Sequence, residues 1–271
     1  MLPLCNLHTH TTYCDGDNTP EELVASALSS NLFCLGFSGH APYGDHDTEG
    51  CLTRENIGSY RSDIQKLKSR YADKIEILLG IEQDYYSPSL DYEYDYVIGS
   101  VHYVKKNGVY IAVDYSYEKL KDGVDRCFDS DAILLCKEYY RTVADVVNKT
   151  NCDIIGHFDI VTKFNQKHPL FDENDEVYRN IALEATDALL ESERIFEVNT
   201  GAMPKWRDRP YPSDFIIRHI VEKNGRLMIT SDAHNMELLT HRFEDTVEYL
   251  KFLGVREIWC YRNGKYRSIS L

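Results

Sequence analysis

The chain has 271 residues, 43% of them hydrophobic and 27% charged, ordinary proportions for a folded protein with a sizeable core, which exclude wholesale disorder. Its 30 basic residues against 44 acidic ones leave a formal charge of -14, which argues against the broad electropositive surface that nucleic-acid binding needs. No apolar stretch approaches membrane-spanning length, so neither nucleic acid nor membrane is an expected partner.

Short apolar runs alternate with longer amphipathic segments along the whole chain, the pattern of β-α units on a parallel sheet. Leu4 to Leu7 reads as a first strand, and Thr19-Pro20-Glu21-Glu22 opens a helix with an N-cap, a first-turn proline and acidic residues at the positive dipole end. Phe33 to Ser38 is the second strand, followed by a helix over about Thr53 to Tyr71. Lys74 to Ile81 and Tyr96 to Val101 are the third and fourth, and Lys105-Lys106-Asn107-Gly108 is a hairpin turn returning Val109 to Val113 antiparallel. Helices are predicted at Tyr117 to Phe128 and Ala132 to Val147, a strand at Asp153 to Gly156, a helix at Glu176 to Leu190 and a strand at Ile195 to Val198. Tyr211-Pro212-Ser213 introduces a helix through Val221, Arg226 to Thr230 is a last inner strand, Glu237 to Leu253 a last long helix, and Glu257 to Tyr261 a closing strand. About seven β-α units result, one short of the standard barrel, within a single domain over residues 1–271.

The residues placed at or just beyond the strand ends are His8 and His10, His40, Glu82, His102, His157, Asn199, Asp232 and His234. In a closed β-α barrel these ends converge on the face where such proteins keep their active sites. A lone His40 or His157 is more often a hydrogen-bonded structural residue than a ligand, but alternating positions on an extended segment point the same way, so His8-Thr9-His10 and Asp232-Ala233-His234 each present two donors together. Six of the ten histidines fall at these ends, whereas His46, His168, His219 and His241 do not. Imidazole and carboxylate without thiolate suit Zn, Fe or Mn, and the donors outnumber the needs of one ion, so two to three divalent ions are expected. The eight cysteines form no CxxC pair, and the opening Met1 to Asn6 turns polar too quickly for a secretory signal, so a reducing cytoplasm is the expected compartment.

His8-Thr9-His10 with Asp15, Ser38-Gly39-His40-Ala41-Pro42, Gly80-Ile81-Glu82, Gly99-Ser100-Val101-His102, Gly156-His157-Phe158-Asp159, Asn199-Thr200-Gly201 and Ser231-Asp232-Ala233-His234 resemble the PHP (polymerase and histidinol phosphatase) family, specifically its histidinol-phosphatase branch. The resemblance implies an α/β fold, a distorted (β/α)7 TIM-like barrel. It also implies a trinuclear site: His8, His10, Glu82 and Asp232 on a first ion, Glu82 bridging to a second with His102 and His157, and Asp15, His40 and His234 on a third. Gly39 departs from the polar or acidic residue that many relatives carry there.

The expected reaction is hydrolysis of L-histidinol phosphate to L-histidinol and phosphate in histidine biosynthesis, a water bridging two ions losing its proton near neutral pH to become the nucleophile. Glu82, Asp232 and His234 are the catalytic candidates, and Asp45, His46 and Asp47 are candidates for the general acid. Lys163, Lys205, Arg207 and Arg209 are the cationic candidates for the phosphate, with Arg207 first. The nearest alternative is a PHP phosphoesterase for another small phosphate ester, a nucleotide or sugar phosphate. A proofreading module of the polymerase kind is disfavoured by the acidic charge, and an amidohydrolase by the missing carboxylated lysine.

Overall fold

The computed structural model describes residues 5–44 and 49–271. In chain order they form β1 (Cys5–Asn6), α1 (Pro20–Ser29), β2 (Cys34–Phe37), α2 (Ile57–Arg70), β3 (Glu76–Asp84), β4 (Tyr96–Ser100), β5 (Tyr103–Lys106), β6 (Val109–Ala112), α3 (Tyr117–Cys127), α4 (Ala132–Ala144) and α5 (Val146–Thr150). Next come β7 (Ile154–Ile155), α6 (Glu176–Leu190), β8 (Ile195–Asn199), α7 (Asp214–Glu222), β9 (Arg226–Thr230), α8 (Phe243–Phe252), β10 (Glu257–Arg262) and β11 (Lys265–Ser270).

Seven strands form one parallel sheet in the order β1-β2-β3-β4-β7-β8-β9. Its edges meet through a parallel bridge of Thr9 to Ala233, with His10 N–H donating to the Ala233 carbonyl at 2.9 Å and Ala233 N–H to that of His8 at 3.2 Å. Below the bridge the Asn6 carboxamide laces the seam, donating to Ser231 Oγ at 2.6 Å and to the Leu239 carbonyl at 2.9 Å. The result is the expected distorted seven-stranded barrel, nearly closed, with helices around it. Its floor is the fully buried Tyr96, whose hydroxyl donates to the Leu7 carbonyl at 2.5 Å. Gly36 and Gly80 make room for that ring, since a Cβ would meet Tyr96 at 2.3 and 2.2 Å.

Local signals explain the helix starts. Thr19 and Glu22 form a complete capping box on α1, and Asp131 and Asp175 accept first-turn N–H groups of α4 and α6. The β5–β6 hairpin turns at Asn107 and Gly108, φ 50° and 83°, the left-handed pair its sequence announces.

Three elements differ from expectation. The helix expected over Ala132 to Val147 breaks at Asp145, whose carboxylate accepts the Tyr85 hydroxyl at 2.8 Å. The helix expected from Glu237 to Leu253 is a 3-10 turn at Met236–Leu238 and then α8, because the Leu239 carbonyl accepts from Asn6 and Ser231 at the seam and Arg242 takes a left-handed φ of 59°. The closing strand β10 does not join the barrel: it pairs antiparallel with an unexpected β11 across Asn263-Gly264. This hairpin covers the N-terminal ends of the strands, where both turn amides donate to the Glu76 carboxylate at 2.9 Å.

Candidate metal centre

All nine of the expected metal-ligand residues stand at the C-terminal mouth of the barrel. His8 and His10 leave β1 on its inner side, His40 follows β2, His102 follows β4, His157 follows β7, and Asp232 and His234 follow β9. Glu82 differs from expectation in lying inside β3, where the His40 to Glu82 bridge extends the pairing of β2 and β3, and Asn199 is likewise the last residue of β8 rather than beyond it. Asp232 holds a left-handed φ of 50°, forced by the Ala233 pairing at the barrel seam.

Glu82 occupies the centre. Its Oε2 is 3.2 Å from His8 Nε2, 3.5 Å from His10 Nε2 and 2.9 Å from His40 Nδ1, while its Oε1 is 2.9 Å from His157 Nε2 and 3.4 Å from His102 Nε2. Asp232 Oδ1 lies 3.3 Å from His8 Nε2 and 3.0 Å from His10 Nε2. Asp15 Oδ2 lies 3.5 Å from His40 Nε2 and 3.2 Å from His234 Nε2.

His157 Nε2 is within hydrogen-bond reach of Glu82 Oε1 and His234 Nε2 of Asp15 Oδ2, but His8 Nε2, His10 Nε2, His40 Nδ1 and Glu82 Oε2 are buried and have no hydrogen-bond partner. Buried lone pairs that face a common point and go unpaired are costly unless a cation satisfies them, so the donor set fits divalent metal. Among the described residues, four overlapping groups have donor atoms within 4.8 Å of one another: His10, Asp15, His40 and His234; His8, His10 and Glu82; His8, His157 and Asp232; and His40, Glu82 and His102. His40 reaches two of these groups, through Nε2 toward Asp15 and through Nδ1 toward Glu82.

The electrostatics carry the same message. Burial by itself would push the imidazoles down, but the carboxylates outweigh it. Asp232, Glu197 and Glu82 hold His8 well above the usual range, and Asp15 and Asp232 do so for His10. Glu82 and Asp84 raise His102, and Glu82 raises His40 to about 9. Conversely, burial opposes ionisation of Glu82, Asp232 and Asp15, and the surrounding imidazoles pull all three below the usual carboxylate range.

Three carboxylates behind this cluster were not singled out from the sequence. Glu197, fully buried, accepts from His8 Nδ1 at 2.5 Å, His157 N–H at 2.6 Å, Asn199 Nδ2 at 3.0 Å and Thr230 Oγ at 2.6 Å. With Nδ1–H given to Glu197, the His8 Nε2 lone pair is left to face the centre. Asp84 accepts the His102 N–H at 2.8 Å and stands 3.3 Å from its Nδ1. Asp159 accepts from Ser213 N–H at 2.9 Å and Ser213 Oγ at 2.6 Å. The signal for two of them was period two, since Glu82 with Asp84 and Glu197 with Asn199 share a strand face. Behind His40, the departure at Gly39 is supported by backbone: Glu82 N–H donates to the Gly39 carbonyl at 3.2 Å, and Gly39 N–H to the Tyr60 hydroxyl at 3.3 Å.

The basic candidates separate. Lys163 Nζ stands 3.6 Å from Asp114 Oδ2, and Asp114 lines a cleft with His40, His102 and Asp15. Arg207, by contrast, is buried, bonding Thr162 and Ser213 and lying over the Tyr211 ring. Arg209 binds Asp214 and Tyr249, and the exposed Lys205 lies 4.7 Å over Trp206. Among the described residues, these last three make no hydrogen bond or ion pair to the cluster. The acid candidates Asp45, His46 and Asp47 lie outside the described residues. Of the histidines set aside, His168 stacks on Tyr117 and His219 pairs with Asp187 at 2.6 Å.

Comparison with known proteins gives the cluster its context. The chain is 29% identical over 273 residues to a protein of Deinococcus radiodurans named probable histidinol-phosphatase, covering 95% of this chain and 96% of that one. It is 24% identical over 268 residues to the histidinol-phosphatase of Bacillus subtilis, covering 89% and 97%. The structure of histidinol phosphate phosphatase from Lactococcus lactis, complexed with zinc, L-histidinol and phosphate, aligns with a TM-score of 0.71 at 20% identity over 98% of this chain and 100% of the other, a likeness of fold. Residues 6–201 match the family described as the PHP domain, and with that span covering most of the barrel strands and seven of the nine clustered residues, the chain belongs to the PHP domain family.

Proposed function

We propose that this protein is a metal-dependent phosphomonoesterase that hydrolyses L-histidinol phosphate to L-histidinol and phosphate, the reaction named in its relatives and belonging to histidine biosynthesis. The convergence of six histidines with Asp15, Glu82 and Asp232, with His8 Nε2, His10 Nε2, His40 Nδ1 and Glu82 Oε2 buried and unpaired at its core, carries the reading. His8, His10, Glu82 and Asp232 would hold one ion, Glu82, His102 and His157 a second, and Asp15, His40 and His234 a third. When bound, such ions supply Lewis acidity toward phosphoryl oxygens and lower the pKa of water, which provides the nucleophile.

The chain's own residues do the rest. Glu82 divides its two oxygens between two sets of imidazoles and so fixes their spacing. Asp232 holds His8 and His10 in register, and its backbone carbonyl accepts a hydrogen bond from His234 Nδ1–H at 2.9 Å, turning Nε2 toward Asp15. Lys163 is the proposed cation for the phosphate, its Nζ 3.6 Å from Asp114, which lines the cleft beside His40 and His102. Residues 1–271 are taken as one domain, because strands from both ends of the chain pair in one sheet. The eight free cysteines, most of them buried, support a reducing cytoplasmic setting.

The test is to assay purified protein on L-histidinol phosphate beside nucleotide and sugar phosphates, before and after chelation. Preferential, metal-dependent release of phosphate from histidinol phosphate is expected. Equal or better turnover of a nucleotide or sugar phosphate would give the site to that substrate instead.

A further inference from the structure

The loops that follow β7 and β8 are joined by a closed ring of hydrogen bonds. Asp159 Oδ2 accepts from Ser213 N–H at 2.9 Å and from Ser213 Oγ at 2.6 Å. Ser213 Oγ accepts in turn from Arg207 Nη2 at 3.2 Å, Arg207 Nη1 donates to Thr162 Oγ1, and Thr162 Oγ1 donates to the Asp159 carbonyl at 2.8 Å. All four residues are buried.

The ring grips a stretch with chemistry at both ends. His157 stands at its start and Lys163 at its end, and between them lies a 3-10 turn at Ile160–Thr162. Ile160 N–H donates to the His157 carbonyl at 2.9 Å, and Lys163 N–H to the Ile160 carbonyl at 2.8 Å. The His157 end has anchors of its own, because its N–H donates to Glu197 at 2.6 Å and the Tyr139 hydroxyl donates to the Phe158 carbonyl at 3.0 Å. The Lys163 side chain is held more loosely, its Nζ 3.6 Å from Asp114 Oδ2, longer than a hydrogen bond. The direction in which it leaves the chain is therefore set by Thr162, the residue before it.

Arg207 is a costly choice for packing alone, since taking a guanidinium out of water carries a desolvation penalty that packing does not offset. Burial opposes its charge, but Asp159, Tyr211 and Glu173 outweigh burial, so it stays a cation. What an apolar side chain of its size cannot supply is a rigid fork that holds acceptors on two loops in one geometry.

Resting on the reading of Lys163 as the phosphate cation, we propose that Arg207 is a positioning residue for the hydrolysis: its fork on Thr162 and Ser213 fixes the turn from which Lys163 reaches the phosphate. Arg207 itself touches neither metal nor substrate.

The test is a double-mutant cycle on metal-loaded full-length protein, run on p-nitrophenyl phosphate as well as L-histidinol phosphate so that it does not hang on the natural ester. Lys163→Met should lower kcat/KM about 100-fold, the scale of a lost charge-stabilising donor, and Arg207→Met about 10-fold, through misplacement. In the Lys163→Met background Arg207→Met should change kcat/KM less than about 2-fold, because the cation it places is gone. No fall in the parent background, or the same fall in both backgrounds, overturns the proposal. Thr162→Val removes the acceptor at nearly constant volume, so it should repeat the pattern of Arg207→Met and decides the matter if Arg207→Met does not fold. Arg207→Lys keeps the charge without the fork and should stay as impaired as Arg207→Met; recovery to the parent's activity would mean that charge alone acts, and overturns the fork. Metal content should be unchanged in every variant, and a loss of metal that tracks the loss of turnover would give the ring to His157 instead of Lys163. If Lys163→Met is as active as the parent, the phosphate reading of Lys163 fails and the positioning role with it; if Lys163→Met falls and Arg207→Met adds to it in full, only the positioning role fails.

Discussion

Glu197 sits at zero exposure with hydrogen bonds from a histidine ring, a backbone amide, a carboxamide and a hydroxyl, drawn from or beside β1, β7, β8 and β9. It aims His8 rather than facing the centre itself. Glu197→Gln keeps the shape but sets an NH2 group against neighbouring donors, so metal affinity should fall about 10- to 100-fold, measured by chelator competition, with far-UV dichroism unchanged. Undiminished affinity would show that His8 is held by packing alone. The imidazoles give a second expectation. Burial opposes their charging, yet Glu82 and its neighbours raise His40 to about 9 and His8, His10 and His102 well above the usual range, so metal-free protein at pH 7 carries protons that metal must expel. Metal binding should therefore release protons, seen as a buffer-dependent calorimetric enthalpy, and affinity should climb with pH up to about 9, where His40 deprotonates. Proton-neutral binding at pH 7 would contradict this.

At the level of elements, the loop after β8 shows how the same residue types serve different ends. Arg207 ties that loop to Thr162 and to Ser213 at the start of α7, while Lys205 lies on the surface. Arg207→Met should cost about 1–3 kcal/mol in denaturant unfolding, the price of leaving buried polar partners unmet, and Lys205→Met should be within about 0.5 kcal/mol of the parent. A fall in turnover at unchanged stability would return Arg207 to the phosphate. The capping box of α1 is a purely local device, so Thr19→Ala should cost about 1 kcal/mol and leave metal content intact.

At the scale of the whole molecule, the proposed metal ligands at β1, β2, β3, β4, β7 and β9 converge on one centre, so a cation held there would join strands from both ends of the chain and bind the folded state alone. Chelation should abolish phosphatase activity, lower the melting temperature, and be reversed in both respects by Zn, Mn or Fe; activity that survives full demetallation would sink the reading. Much of this was legible in one dimension. The alternation in His8-Thr9-His10, the Asn107-Gly108 turn and the Thr19 cap are set by covalent geometry over two or three residues, and the rhythm of apolar runs set seven strands and their order of appearance. The outer carboxylates were legible only as period-two partners, Asp84 of Glu82 and Glu197 of Asn199; that each backs a histidine is decided when the barrel closes. The fate of the cations was not legible, since one short stretch holds the buried Arg207 and the exposed Lys205 and nothing local distinguishes them. Which side chains point inward along a strand is decided by the chain's own period of two. Which charge meets which depends on how distant strands close on one another, and that closure, sealed here by Thr9, Ala233 and Asn6, exists only in the folded molecule.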